Sequence, residues 1–130
     1  MRMLRLMLPL LFAAMAFQGT ARADEALSAA EVKQILTGHT ALGTTSRGSP
    51  YWLYRRADGT QSVETGSGFS DEGEWSVKDD GALCSVWEKI RDGEEHCTKI
   101  YRTGENRYYA IRTDDSKSVF KMLKGNPENL

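Results

Sequence analysis

Tyr51-Trp52-Leu53-Tyr54-Arg55-Arg56-Ala57-Asp58-Gly59-Thr60-Gln61-Ser62-Val63-Glu64-Thr65 reads as a strand, a turn and a second strand. Aromatic and β-branched residues crowd both flanks, and Asp58-Gly59 between them tolerates the positive φ of a tight hairpin. Side chains alternate along a strand, so Tyr51 and Leu53 share one face while Trp52 and Tyr54 take the other. The same grammar continues on both sides. Strands are expected at about residues 39–45, 51–56, 60–65, 74–77, 82–87, 96–102, 107–112 and 118–123. Turns fall at Arg47-Gly48-Ser49-Pro50, Asp79-Asp80-Gly81, Arg91-Asp92-Gly93, Thr103-Gly104-Glu105-Asn106 and Asp114-Asp115-Ser116. No helical pattern separates the strands, which argues against parallel crossovers. The expected fold is mainly β: an antiparallel meander of about eight strands forming a small β-barrel-like (lipocalin/calycin-like) domain. Closure would remove the exposed edges, and a twisted open sheet or sandwich is the other solution. The longest loop is expected at Gly66–Gly73, with a mobile, glycine-rich character, and the tail Lys124–Leu130 is expected to be irregular.

One N-terminal α-helix precedes the strands. Ser28 and Glu31 have capping-box spacing, Leu27 can staple to Val32, and Val32, Ile35 and Leu36 form a narrow apolar stripe before Gly38. The helix is expected over about residues 29–37, lying on another element and placed to plug or cap one barrel end. Before it, Arg2 and Arg5 lead into an apolar run from Leu6 to Phe17 and an Ala21-Arg22-Ala23 cut site. That is the build of a secretory signal peptide. The run is shorter than the ~20 residues a membrane span needs. The expected organisation is a signal peptide over residues 1–23 and a single barrel-like domain over residues 24–130. The mature chain is expected in the periplasm or secreted, without a membrane span or a lipid anchor.

The whole chain has 17 basic and 18 acidic residues. Loss of Arg2, Arg5 and Arg22 with the leader moves the net charge from −1 to −4. No basic block is present, which excludes a nucleic-acid footprint. Cys84 and Cys97 are the only cysteines, and an exported pair is expected to form a disulfide. Register leaves two arrangements open. A two-residue Asp92-Gly93 turn places Cys84 opposite Tyr101, beyond the ~7 Å that a disulfide allows. A wider loop over residues 88–93 places Cys84 opposite Cys97, and the export context favours it.

Chemistry-bearing motifs are sparse. His39 follows a helix-ending glycine and His96 adjoins Cys97; neither belongs to a metal-binding or triad motif. The acidic groups Asp71-Glu72-Gly73-Glu74 and Asp79-Asp80-Gly81 lack calcium-loop spacing and read as solvated turns. No catalytic residue, metal site or cofactor is expected. The aromatic residues carry more information. Trp52, Tyr54, Trp75, Trp87 and Tyr109 on strands, with Phe69 on the glycine-rich loop, are the candidate ligand or partner contacts. Large rings on strands also simply build cores. Arg55-Arg56 and Arg112 offer a charge for an anionic headgroup, though exposed arginines need no such role.

The ordered marks Leu36-Thr37-Gly38, Tyr54, Asp58-Gly59-Thr60, Gly73-Glu74-Trp75, Asp80-Gly81, Leu83-Cys84, Trp87, Cys97, Tyr101 and Gly125-Asn126-Pro127-Glu128 cover most of the mature chain. In this order, after a signal peptide, the chain resembles a family of small exported proteobacterial proteins of unknown function. The resemblance implies a periplasmic or secreted single β domain and brings no catalytic residues. The expected function is a non-enzymatic binding module for a small apolar ligand or an envelope protein. The alternative is a periplasmic protein inhibitor of a protease or lysozyme, acting through a protruding Gly66–Gly73 or Asp24–Leu27 segment. An enzyme would need His39 or His96 to meet a carboxylate in a cleft.

Overall fold

Every paired strand in the computed structural model, which describes residues 24–130, is antiparallel to its neighbours. After α1 (Ala29–Leu36) come β1 (Thr40–Thr44), β2 (Pro50–Arg55), β3 (Thr60–Thr65), β4 (Ser70–Val77) and β5 (Leu83–Trp87). A 3-10 turn (Ile90–Gly93) leads into β6 (His96–Thr98), β7 (Ile100–Gly104), β8 (Arg107–Ile111) and β9 (Lys117–Leu123). The sheet order is β6-β5-β4-β3-β2-β1-β9-β8-β7. The two outermost strands are therefore consecutive in the chain. One extended segment, broken at Lys99, pairs with β5 in its first half and with β8 in its second. Thr98 completes the seam: its Oγ1 accepts from the Ile111 N–H at 3.2 Å and lies 3.3 Å from the Ile111 carbonyl. The single expected strand over residues 96–102 is thus two strands. The result is nine strands in a nearly closed barrel.

The helix closes one end. Both halves of the Ser28–Glu31 capping box are formed, and Leu27, Val32 and Leu36 are buried with Ala41, Leu83, Ile100, Tyr108 and Phe120. Val32 and Leu36 are essentially inaccessible, deeper than a narrow stripe suggests, because they enter the barrel end rather than rest on its outside. The lead-in is stitched to β7 through an Ala26–Tyr101 bridge and a 2.8 Å bond from the Leu27 N–H to the Ile100 carbonyl. The Asp24–Leu27 segment therefore partly covers the β7 edge instead of protruding. The leader assigned to residues 1–23 lies outside the described residues.

Two further expectations change. The long Gly66–Gly73 loop is a short turn, because β4 already begins at Ser70. Gly73 is a strand residue whose missing side chain admits Trp87: a Cβ there would strike the Val86 carbonyl and lie 3.1 Å from the Trp87 ring. Its glycine serves close approach, not mobility. Cys84 lies opposite Cys97 and the two form the disulfide, so the wider loop is the arrangement adopted. Asp71 organises that loop by accepting from the Lys89 N–H at 3.1 Å and the Ile90 N–H at 2.9 Å. Burial pushes the Asp71 carboxyl up, but the N–H groups of Ile90, Glu72 and Lys89 outweigh this and hold its pKa below the ordinary value.

Candidate functional site

The barrel is not filled to its full height. At the end opposite α1, side chains stop short of the axis and leave an open-mouthed cavity of about 880 Å³. Its wall is built by the inward alternation of the strands. Leu53 on β2, Val63 on β3, Leu83 on β5, Ile100 on β7, Ala110 on β8 and Phe120 on β9 give it apolar surface, interspersed with Ser85 on β5, His96 and Thr98 on β6 and Ser118 on β9. Tyr51 joins them because its cross-strand partner is Gly43; a Cβ on Gly43 would lie 2.6 Å from the phenol ring. The mouth is formed by the turns after β1, β3, β5 and β8 and carries Arg47, Phe69, Arg91, Arg112 and Asp114.

The floor carries one charge. Arg55 ends β2 beside the helix terminus, where its carbonyl accepts from the Gly38 N–H at 2.7 Å. Its side chain lines the cavity yet is only 7% exposed. Burial lowers its pKa from the ordinary guanidinium range to about 10, partly offset by nearby Tyr51. Its Nε has no hydrogen-bond partner, and no carboxylate forms an ion pair with it among the described residues. Arg56, one residue on, points outward and is well served: it donates to Thr60 and Ser62 and covers the Tyr54 ring. The arginine doublet that looked like surface charge is thus split between the inside and the outside of the barrel. The alternation Tyr51, Leu53, Arg55 was the available signal, since it places Arg55 on the face of two apolar residues.

Of the aromatic candidates, Phe69 and Trp87 line the cavity. Phe69 is 41% exposed at the rim, with the Lys89 ammonium 5.7 Å from its ring, while Trp87 is buried in the wall. Trp75 faces inward but packs against the core, its indole N–H donating to the Arg56 carbonyl at 3.0 Å. Trp52 and Tyr54 alternate with the cavity-lining residues of β2 and so lie on the outer face. Tyr109 is also outside, stacked on Tyr101 at 4.9 Å and covered by Lys117. The candidate set is therefore divided between two surfaces.

The histidines are far from equivalent. His39 Nδ1 accepts from the Gly125 N–H at 3.1 Å and ties down the C-terminal tail. His96 lines the cavity near its mouth, where burial and then the Arg91 charge hold its pKa below the ordinary histidine value. Neither forms a hydrogen bond to a carboxylate among the described residues. Cys84, Glu95 and Cys97 lie close together, but both sulfurs belong to the disulfide. A smaller recess of about 250 Å³ on the outer wall includes Glu64, Asp71, Glu72 and Glu88. Asp71 there is already committed to the backbone of the neighbouring loop.

Fold and cavity together define a small antiparallel β-barrel closed by a helix at one end and open at the other. The chain belongs to the family described as "Protein of unknown function (DUF995)", whose model matches residues 3–129. No curated protein matches the sequence.

Proposed function

We propose that this protein is an exported binding module that holds a small, mainly apolar ligand inside its barrel. The observation that carries this reading is the cavity of about 880 Å³, within the range of pockets that enclose small molecules. Its wall is more apolar than polar, its mouth is open, and the strands that form it are hydrogen-bonded into one sheet, which supports a preformed site. The signal-peptide build of residues 1–23 and the Cys84–Cys97 disulfide support a periplasmic or secreted setting. Among the described residues no helix is long and apolar enough to cross a membrane. The module binds and releases its ligand without converting it, as a carrier or the ligand-sensing half of a relay.

Native mass spectrometry of the mature protein, purified gently from its own periplasm and compared with its denatured mass, tests the reading. A retained non-covalent adduct supports it and identifies the ligand. A clean apo mass, together with no binding from a panel of C8–C16 lipophiles, refutes it.

A further inference from the structure

Among the described residues, Arg55 lines the cavity with a buried Nε that has no hydrogen-bond partner. A guanidinium has five N–H donors and stays charged at neutral pH. Burying such a charge without a partner is costly, and native proteins seldom do so without a function for it. The side chain of Arg55 makes no hydrogen bond among the described residues, whereas Arg112 at the mouth makes three. Its cross-strand neighbour Gln61 also has an unpartnered atom, Oε1, its amide nitrogen being held by the Glu74 carbonyl. Gln61 is neutral, so even a contact between the two leaves the charge uncompensated. Residues 1–23 contain no Asp or Glu that could supply a counterion. The titratable side chain that bears on Arg55 is Tyr51, a phenol and not a carboxylate.

The rest of the cavity has the same bias. Four arginines line it (Arg47, Arg55, Arg91 and Arg112) against one carboxylate, Asp114, while the mature chain as a whole carries an excess of acidic residues. A cleft of one sign with low-dielectric walls concentrates the opposite charge. Arg55 lies at the closed end of β2, roughly 16 Å along the strand from Pro50 at the mouth. Between them the wall is mixed, with Leu53, Val63 and Phe120 alongside Tyr51, Ser85, Thr98 and Ser118, and more apolar than polar.

We infer that the ligand is an amphiphile with a single anionic head, a carboxylate, which enters head-first and pairs with Arg55 at the barrel floor while its apolar body fills the cavity. One guanidinium matches one carboxylate in bidentate geometry. A doubly charged phosphate head would leave a charge unpaired, because the other three arginines that line the cavity among the described residues sit at its mouth. The inference rests on the proposed binding function and names the ligand class for that same cavity.

The test compares straight-chain fatty acids of C8–C16 with the corresponding alcohols, by titration calorimetry and Trp87 fluorescence, on delipidated mature protein. For the best-fitting length, the acid should bind roughly tenfold or more tighter than the alcohol, the worth of a desolvated charged hydrogen bond. In Arg55→Met that preference should vanish, the acid losing more affinity than the alcohol. Equal binding of acid and alcohol to the unsubstituted protein overturns the inference and leaves the cavity reading standing. So does an acid preference that survives in Arg55→Met. Failure of both ligand series to bind overturns the cavity reading and the inference with it. The acid–alcohol comparison needs no variant, so it decides the matter even if Arg55→Met folds poorly.

Discussion

Replacing Arg55 by Met should make the ligand-free protein more stable while destroying its preference for anions. The magnitude follows from the burial of the guanidinium. Burial lowers its pKa to about 10 on folding, so the folded state bears a desolvation penalty on the order of a few kcal/mol. A base whose folded pKa lies below its unfolded value binds its proton less well when folded. The penalty is therefore fully present at neutral pH and fades only as pH rises above the folded value of about 10. Met keeps the packing of the aliphatic stem and removes the charge. The expected gain is about 2–3 kcal/mol, or roughly 10 °C in Tm for a domain of this size. Urea titration and calorimetry of delipidated protein with the disulfide intact measure it directly, and the gain should be constant between about pH 6 and 9. A variant less stable than the parent by 1 kcal/mol or more would refute the reasoning, because it would mean that Arg55 has partners that stabilise the apo fold. Saturation with a cognate anion should reverse the order, stabilising the parent but not Arg55→Met.

Asp71→Ala should cost about 1–3 kcal/mol by stranding the N–H groups of Lys89 and Ile90. The Asp71 carboxyl has a lowered folded pKa, so its contribution is present above the ordinary value of 3.8 and fades as pH falls below it. Urea midpoints of parent and Asp71→Asn at pH 7 and pH 3 should therefore converge on the acid side. Replacing both Cys84 and Cys97 by Ser opens a loop with a sequence separation of 13 and should cost about 3 kcal/mol. Intact-mass analysis with thiol capping before and after reduction checks the bond itself, and free thiols in periplasmic protein would contradict it. Gly73→Ala should lower stability by about 1–3 kcal/mol and shift the Trp87 emission, because the methyl meets the Val86 carbonyl and the indole. Phe69→Ala, at the exposed rim, should change stability by less than about 0.5 kcal/mol while accelerating ligand release in stopped-flow displacement.

Local signals in the sequence carried far along the chain because each was written into adjacent residues. The Ser28–Glu31 capping box, the Asp58-Gly59 hairpin and the inward alternation of Tyr51 and Leu53 all follow from backbone geometry over a few positions. The antiparallel meander followed from them, and so did the Cys84–Cys97 pairing once the export context selected the wider loop. Signals that depend on distant neighbours were misread. Gly73 looked like a loop glycine, since nothing local shows that Trp87 crosses it. His96–Arg102 looked like one strand, since nothing local marks Lys99 as the point where pairing passes from β5 to β8. Arg55-Arg56 looked like a solvated pair, though alternation already separated its two members.

The sequence by itself pointed to the helix, most of the strands and the cysteine pair, because these depend on residue type and short-range periodicity. Only the tertiary structure decided that the barrel is open at one end, that Phe69 and Trp87 meet in one cavity while Trp52, Tyr54 and Tyr109 do not, and that Arg55 lies unpaired at its floor. Cavity volume and charge compensation are sums over side chains brought together from every strand. They come into being only when the sheet closes and α1 fills the other end.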